Sequence, residues 1–128
     1  MHFHIVWILA LTAGALLAGC ATPYDIGKAD TRVTPQQAVN DLPRMLGRDI
    51  AWGGKITAVK NLKDRTEIEA VAYPLDASNR PNEDAKPMGR FIVVHPGYLE
   101  TADYSSGRLI TVVGAVNEVR QGNVGEAQ

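Results

Sequence analysis

Residues 48–62, RDIAWGGKITAVKNL, repeat with a period of two: Ile50, Trp52, Gly54, Ile56 and Ala58 fall on one side of an extended chain. A helix would scatter these positions around its surface, so the pattern selects a strand. Gly53 and Gly54 stand side by side within it. Paired glycines inside a strand predict a bulge or a sharp bend, the device that curls a sheet toward closure. Three further stretches follow the same grammar. In RTEIEAVAYPL, Ile68 and Ala70 alternate with Glu67 and Glu69 before the apolar side shifts to Val71 and Tyr73, which a bulge near Ala70 would explain. RFIVVH, 90–95, is a continuous apolar run of the kind found in strands buried on both faces. RLITVVGAVNEV, 108–119, places Ile110, Val112, Gly114 and Val116 on one face. The polar loops DASNRPNEDAKPMG and GYLETADYSSG separate the second strand from the third and the third from the fourth. Four short strands, two of them holding glycines, predict a small antiparallel barrel or sandwich.

Ahead of the strands, TPQQAVNDLPRMLG carries helix signals. Thr34 is placed to cap, Pro35 fits the first helical position, and Gln37 completes a capping box. Val39, Leu42 and Leu46 can share a face, but Pro43 interrupts the helix early. The expectation is one short helix from about 35 to 42 and a turn ending near Gly47. Residues 21–33, ATPYDIGKADTRV, are mostly polar and read as a tether.

The first 19 residues contain no Lys, Arg, Asp or Glu, and Ile5 to Ala18 is an uncharged stretch. As a helix it would be about 21 Å long against a hydrocarbon core of about 30 Å, so it fits a secretory h-region better than a permanent span. It ends in Leu17–Ala18–Gly19–Cys20, which looks like the bacterial lipobox, and Cys20 is the only cysteine of the chain. In that chemistry Leu17, Ala18 and Gly19 are read by the signal peptidase. The Cys20 thiol takes a diacylglyceryl group, cleavage frees the Cys20 amine, and that amine is acylated. Three acyl chains meet the requirement for stable anchoring. The competing reading is a plain N-terminal membrane segment with an incidental cysteine. The leader's start, MHFH, lacks Lys and Arg, so the α-amino group and the histidines must supply its positive charge. Alanine at position 21, where aspartate would favour inner-membrane retention by resemblance to enterobacterial lipoproteins, favours the outer membrane.

The rest of the chain holds 13 basic and 14 acidic residues, a balance with no electrostatic footprint for nucleic acid. A lone cysteine excludes an internal disulfide and a multi-cysteine zinc site. His95 is the single histidine outside the leader. Catalysis there would need a nucleophile and an orienting carboxylate, for which Asp103 and Ser105 offer only a generic order. Glu67 and Glu69 point to one side of a strand, where a carboxylate pair is conceivable and a solvated face is the expectation. Trp52 lies on the apolar face of its strand and reads as core. Tyr98 and Tyr104, in a loop, are the candidate ligand contacts, with loop packing the equal alternative. Arg90 and Arg108 each follow a glycine just before a strand, where pairing with carboxylates or strand-end carbonyls competes with a ligand role. No catalytic or metal-binding set is expected, and no cofactor beyond the covalent diacylglyceryl and N-acyl groups on Cys20.

Several segments together resemble the Slp family of Gram-negative outer-membrane lipoproteins, the starvation-inducible type. They are LAGC at the lipobox, WGGKI at 52–56, TEIEAVAYPLD at 66–76 with Arg80–Pro81, and GRF at 89–91. GYLETADYSSGRLITVVGAV, beginning just after Pro96, and GNVGE at 122–126 complete the set. The resemblance implies no enzymatic activity and a site at the periplasmic face of the outer membrane, held there by the lipid anchor. It also implies a structural or interaction role with an envelope protein partner, linked to stress or starvation. The strand pattern is similar to an oligonucleotide/oligosaccharide-binding barrel, and binding of an oligosaccharide or peptidoglycan fragment is the alternative function. Members of the family continue past GNVGE with another apolar strand. A barrel without that strand would leave an open edge, and the expectation is a shortened chain, with a strand supplied by a partner or a domain that tolerates the gap as the alternatives. The expected organisation is 1–19 signal peptide, 20–33 lipidated tether and 34–128 β domain.

Overall fold

The computed structural model describes residues 22–120; Cys20 and the lipobox lie outside them. Two short helices, α1 (Pro35–Asn40) and α2 (Leu42–Met45), precede four strands. These are β1 (Asp49–Asn61), β2 (Arg65–Tyr73), β3 (Arg90–Pro96) and β4 (Leu109–Ala115). The strands pair antiparallel in the order β3-β2-β1-β4 and curl into a half-barrel. All four expected strands form. β1 is long enough to serve two partners, β4 along Asp49–Lys55 and β2 along Gly53–Asn61.

The paired glycines do not form the expected bulge. Register runs unbroken through Gly53↔Tyr73 and Gly54↔Ala72, and slips instead between Ile56 and Ala58, at Thr57. The Thr57 hydroxyl donates to the Glu69 carbonyl at 3.2 Å, tying the slipped residue to β2. The glycines answer to crowding on both faces. A Cβ on Gly54 would stand 2.8 Å from Phe91 Cζ and 3.0 Å from Ala70 Cβ. One on Gly53 would stand 2.7 Å from Leu75 Cδ2 and 2.9 Å from the Tyr73 carbonyl oxygen. The bulge expected near Ala70 of β2 sits instead on β1, opposite Glu69 and Ala70.

β2 is a central strand buried on both faces from Thr66 to Ala70, including Glu67 and Glu69, whose side had been expected to meet solvent. β3, expected to be buried on both faces, is an edge strand. Phe91 is buried, Ile92 and Val93 are half-buried, and Val94 onward is exposed. A continuous apolar run cannot distinguish these two positions, because a covered edge face and a central strand both accept apolar residues.

The helical segment forms with Thr34, Pro35 and Gln37 in the expected roles: Thr34 Oγ1 accepts from the Gln37 amide, and Gln37 Oε1 accepts from the Thr34 amide. Pro43 lacks the amide that would bond the Val39 carbonyl, so the helix stops at Asn40 and restarts at Leu42, with Pro43 in the first turn of α2. The buried face is Ala38, Leu42 and Met45; Val39 and Leu46, expected to share it, are exposed.

Two clusters make the core. Val33, Ala38, Ile50 and Val116 form one, under the helices; Ala70, Ala72 and Phe91 form the other, with Ile110, Val112 and Met88 against it. Trp52 belongs to both. Its indole N–H donates to the Val33 carbonyl at 2.7 Å, and its ring lies 5.3 Å from that of Phe91 at 55°. Burial of the Phe91 ring is worth roughly 1.5–3 kcal/mol. The described residues of the segment read as a tether make contacts with the body. The Tyr24 amide donates to the Ser78 carbonyl, Arg80 lies 4.1 Å over the Tyr24 ring, and Asp30 bridges Ile50.

Candidate functional site

Among the described residues the four strands leave two edges, and their chemistry differs. β3 starts at Arg90 and ends at His95–Pro96. Charge and proline at an edge discourage another strand from pairing there. β4, LITVVGA, has neither, and Leu109 and Val113 are 43% and 53% exposed. Backbone bonds at both ends of the β1–β4 ladder set its parity. The Ile56 amide donates to the Arg108 carbonyl at 2.9 Å, and the Val116 amide donates to the Arg48 carbonyl at 3.1 Å. Even-numbered residues of β4 thus face β1, and the amides and carbonyls of Leu109, Thr111, Val113 and Ala115 face outward. Such a row is a template for a further strand.

The residues singled out as ligand contacts do not converge. Tyr98 is 67% exposed just past the end of β3. Arg90 opens β3, roughly 20 Å of strand away from Pro96. Tyr104 is half-buried in the β3–β4 loop, and Arg108 is exposed at the start of β4, on the other edge of the sheet. None of the four lines the cleft of about 240 Å³ beside Val33, Trp52 and Leu75, or that of about 460 Å³ beside Gln37 and Arg48. His95 is exposed, and among the described residues no hydrogen bond joins it to Asp103 or Ser105.

Glu67 and Glu69 share one face of β2, as the alternation required, but they sit in a charged cluster under cover. Arg120, beyond β4, reaches Glu67 with both terminal nitrogens, at 2.8 and 3.0 Å, and Arg65 Nε adds a bond at 2.9 Å. Hydrogen bonds from Arg120 first, then from Arg65, lower the Glu67 carboxyl to about 2. Lys60 Nζ lies 3.4 Å from Glu69 Oε1, while Glu69 Oε2 has no partner among the described residues. The cluster is a clasp that holds residues 116–120 to β2. Reading the sequence missed the clasp and did not place the expected open edge on β4. The absence of charge from Leu109 to Val116, set against Arg90 and Pro96 on β3, was the signal for the second.

The fold is a small β domain, with no helix among the described residues long and apolar enough to cross a membrane. A model of the outer membrane lipoprotein Slp family matches residues 17–128, and the chain belongs to that family. It is 35% identical over 122 residues to the uncharacterized lipoprotein YeaY of Escherichia coli K12, covering 92% of this chain and 62% of that one. To the outer membrane protein Slp of the same organism it is 29% identical over 119 residues, covering 89% and 62% respectively. The chain therefore spans less than two thirds of the length of these relatives. No solved structure matches it.

Proposed function

We propose that this lipoprotein is a non-catalytic interaction module of the cell envelope that recruits a partner by strand addition to β4. In this reading residues 1–19 are removed, Cys20 carries the acyl groups, and the β domain faces the periplasm from the outer membrane. The observation that supports it is the uncharged β4 edge with Leu109 and Val113 exposed. Main-chain bonds supply affinity in such docking, and the alternating side chains supply selectivity. A link to starvation follows from the family resemblance and is checked by protein level across growth phases.

Crosslinking in intact cells, with wild type beside Val113→Lys, tests the edge. Crosslinked adducts should disappear in the variant while the protein stays in the outer membrane; adducts unchanged in the variant would overturn the reading. Cys20→Ser should release the chain from membranes and abolish a mass beginning at residue 20 with about three acyl chains.

A further inference from the structure

We infer that the domain lies directly on the membrane that holds its lipid anchor, with Tyr24 and the loop 76–80 seated among the phospholipid headgroups. The inference rests on the lipidated Cys20 of the reading above and gives that anchor an orientation.

The segment between the cysteine and the helices is gripped along its length. The Tyr24 amide donates to the Ser78 carbonyl at 3.0 Å, and Asn79 Nδ2 donates to the Tyr24 carbonyl at 2.9 Å. Arg80 Nη2 donates to the Thr22 carbonyl at 3.2 Å. Farther along, the Asp30 amide donates to the Asp49 carbonyl, and Val33 is buried in the core. The loop is shaped for this grip. Asp76 Oδ1 accepts from the amides of Ser78 and Arg80, closing a turn in which Asn79 takes a φ of 61°. Among the described residues no other side-chain-bearing residue has a positive φ. That left-handed conformation costs energy outside glycine, and here it carries the amide that holds Tyr24.

Chain length then fixes the height of the domain. Cys20 precedes Thr22 by two residues, so its Cα lies within about 7 Å of the Thr22 Cα. An ungripped segment from Cys20 to Val33 would let the body stand off by up to about 45 Å. The headgroup layer is about 5–8 Å deep on each side of a bilayer. Acyl chains on Cys20 therefore bring Thr22, and the loop that grips it, to that layer. The side chains there fit it. Arg80 has no carboxylate partner among the described residues, and the Ser78 and Thr22 carbonyls take only part of its donor set, leaving N–H groups for a lipid phosphate. Its guanidinium lies 4.1 Å over the ring of Tyr24, which is 48% exposed. Tyrosine favours the boundary between membrane and water.

The test uses the full lipidated protein in vesicles of phosphatidylethanolamine and phosphatidylglycerol that carry a headgroup spin label. Lipidation blocks the single native thiol, so Ala77→Cys and Lys63→Cys can each take a fluorophore. Both positions are exposed, and roughly 25 Å of β2 separates the hairpin of Lys63 from the loop of Ala77. Quenching should be severalfold stronger at 77 than at 63. Asn79→Gly combined with Arg80→Gln removes both side-chain grips while glycine keeps the turn, and should lower quenching at 77 toward the level at 63. Equal quenching at the two positions on vesicle-bound protein, or quenching at 77 that ignores the double variant, would overturn the inference and leave the anchor standing. Protein without acyl mass that fails to float with the vesicles would overturn the lipidated Cys20 as well. Hydrogen exchange of the wild type on vesicles covers the case of a variant that fails to fold. The Tyr24 amide should be protected, and exchange at the rate of an unstructured chain would overturn the inference.

Discussion

Gly54 on β1 and Gly114 on β4 lie on the same face of neighbouring strands, yet their surroundings are opposite. Phe91 and Ala70 close on Gly54 at 2.8 and 3.0 Å, whereas nothing comes within 4 Å of a Cβ on Gly114. The first glycine lets the interior close; the second leaves room at a margin. The same division runs through the charges. Glu67, on central β2, is 7% exposed and held by two arginines, while β4 carries no charge and shows its apolar side chains to solvent. Strands in the middle of this sheet are specified by what covers them. The outer strand is specified by what it leaves open.

Gly54→Ala should break the comparison most severely. Phe91 is buried against Trp52 and has little room to retreat, so overpacking should cost roughly 1–3 kcal/mol. In a domain of this size that lowers the melting temperature by roughly 10 °C, measured by calorimetry. Arg120→Ala should cost about 1 kcal/mol, a modest figure because the Arg120 side chain is 38% exposed. It should also speed hydrogen exchange across residues 116–120, which the clasp holds down.

The pairing of Glu67 also has a pH signature. Its carboxyl titrates at about 2 in place of the ordinary 4.5, through the hydrogen bonds of Arg120 and then Arg65. A depressed carboxyl contributes stability that is complete above the unfolded value and is lost as pH falls through the folded one. Urea midpoints should therefore drop between about pH 5 and 2, and Glu67→Gln should flatten that limb. Gly114→Ala, in open space and without a positive φ, should stabilise the fold by about 0.4–1 kcal/mol in urea titrations. The smallest change in stability belongs to Val94→Lys and Val113→Lys, each within about 0.5 kcal/mol of wild type. Only the second should alter crosslinked adducts, since Val94 lies on the edge already guarded by Arg90 and Pro96.

Strand existence was legible because the signal is local: period two at Ile50–Ile56 and at Ile110–Val116 needs no knowledge of the partner strand. The capping box at Thr34 was equally readable, since its hydrogen bonds close within one turn. Its buried face was not, because choosing Ala38 and Met45 over Val39 and Leu46 depends on how the helix lies against Ile50 and Val116. The bulge was misplaced for a related reason. Glycine signals either backbone freedom or missing volume, and only the approach of Phe91 and Leu75 says which. Of the candidate contacts, Tyr98 and Tyr104 were chosen for their place in a loop and Arg90 and Arg108 for theirs before a strand, and the topology spreads them over different loops and edges.

By itself the sequence determined four strands, a capped helical turn, the family, and an apolar N-terminal stretch before one cysteine. Each follows from residue order over a few positions or from matched segments. Tertiary structure alone decided that β3 and β4 are the edges, that the register slips at Thr57, and that Arg120 covers Glu67 from 53 positions away. Strand order and burial arise from contacts between distant segments, and periodicity within one strand carries no record of which neighbour it will meet.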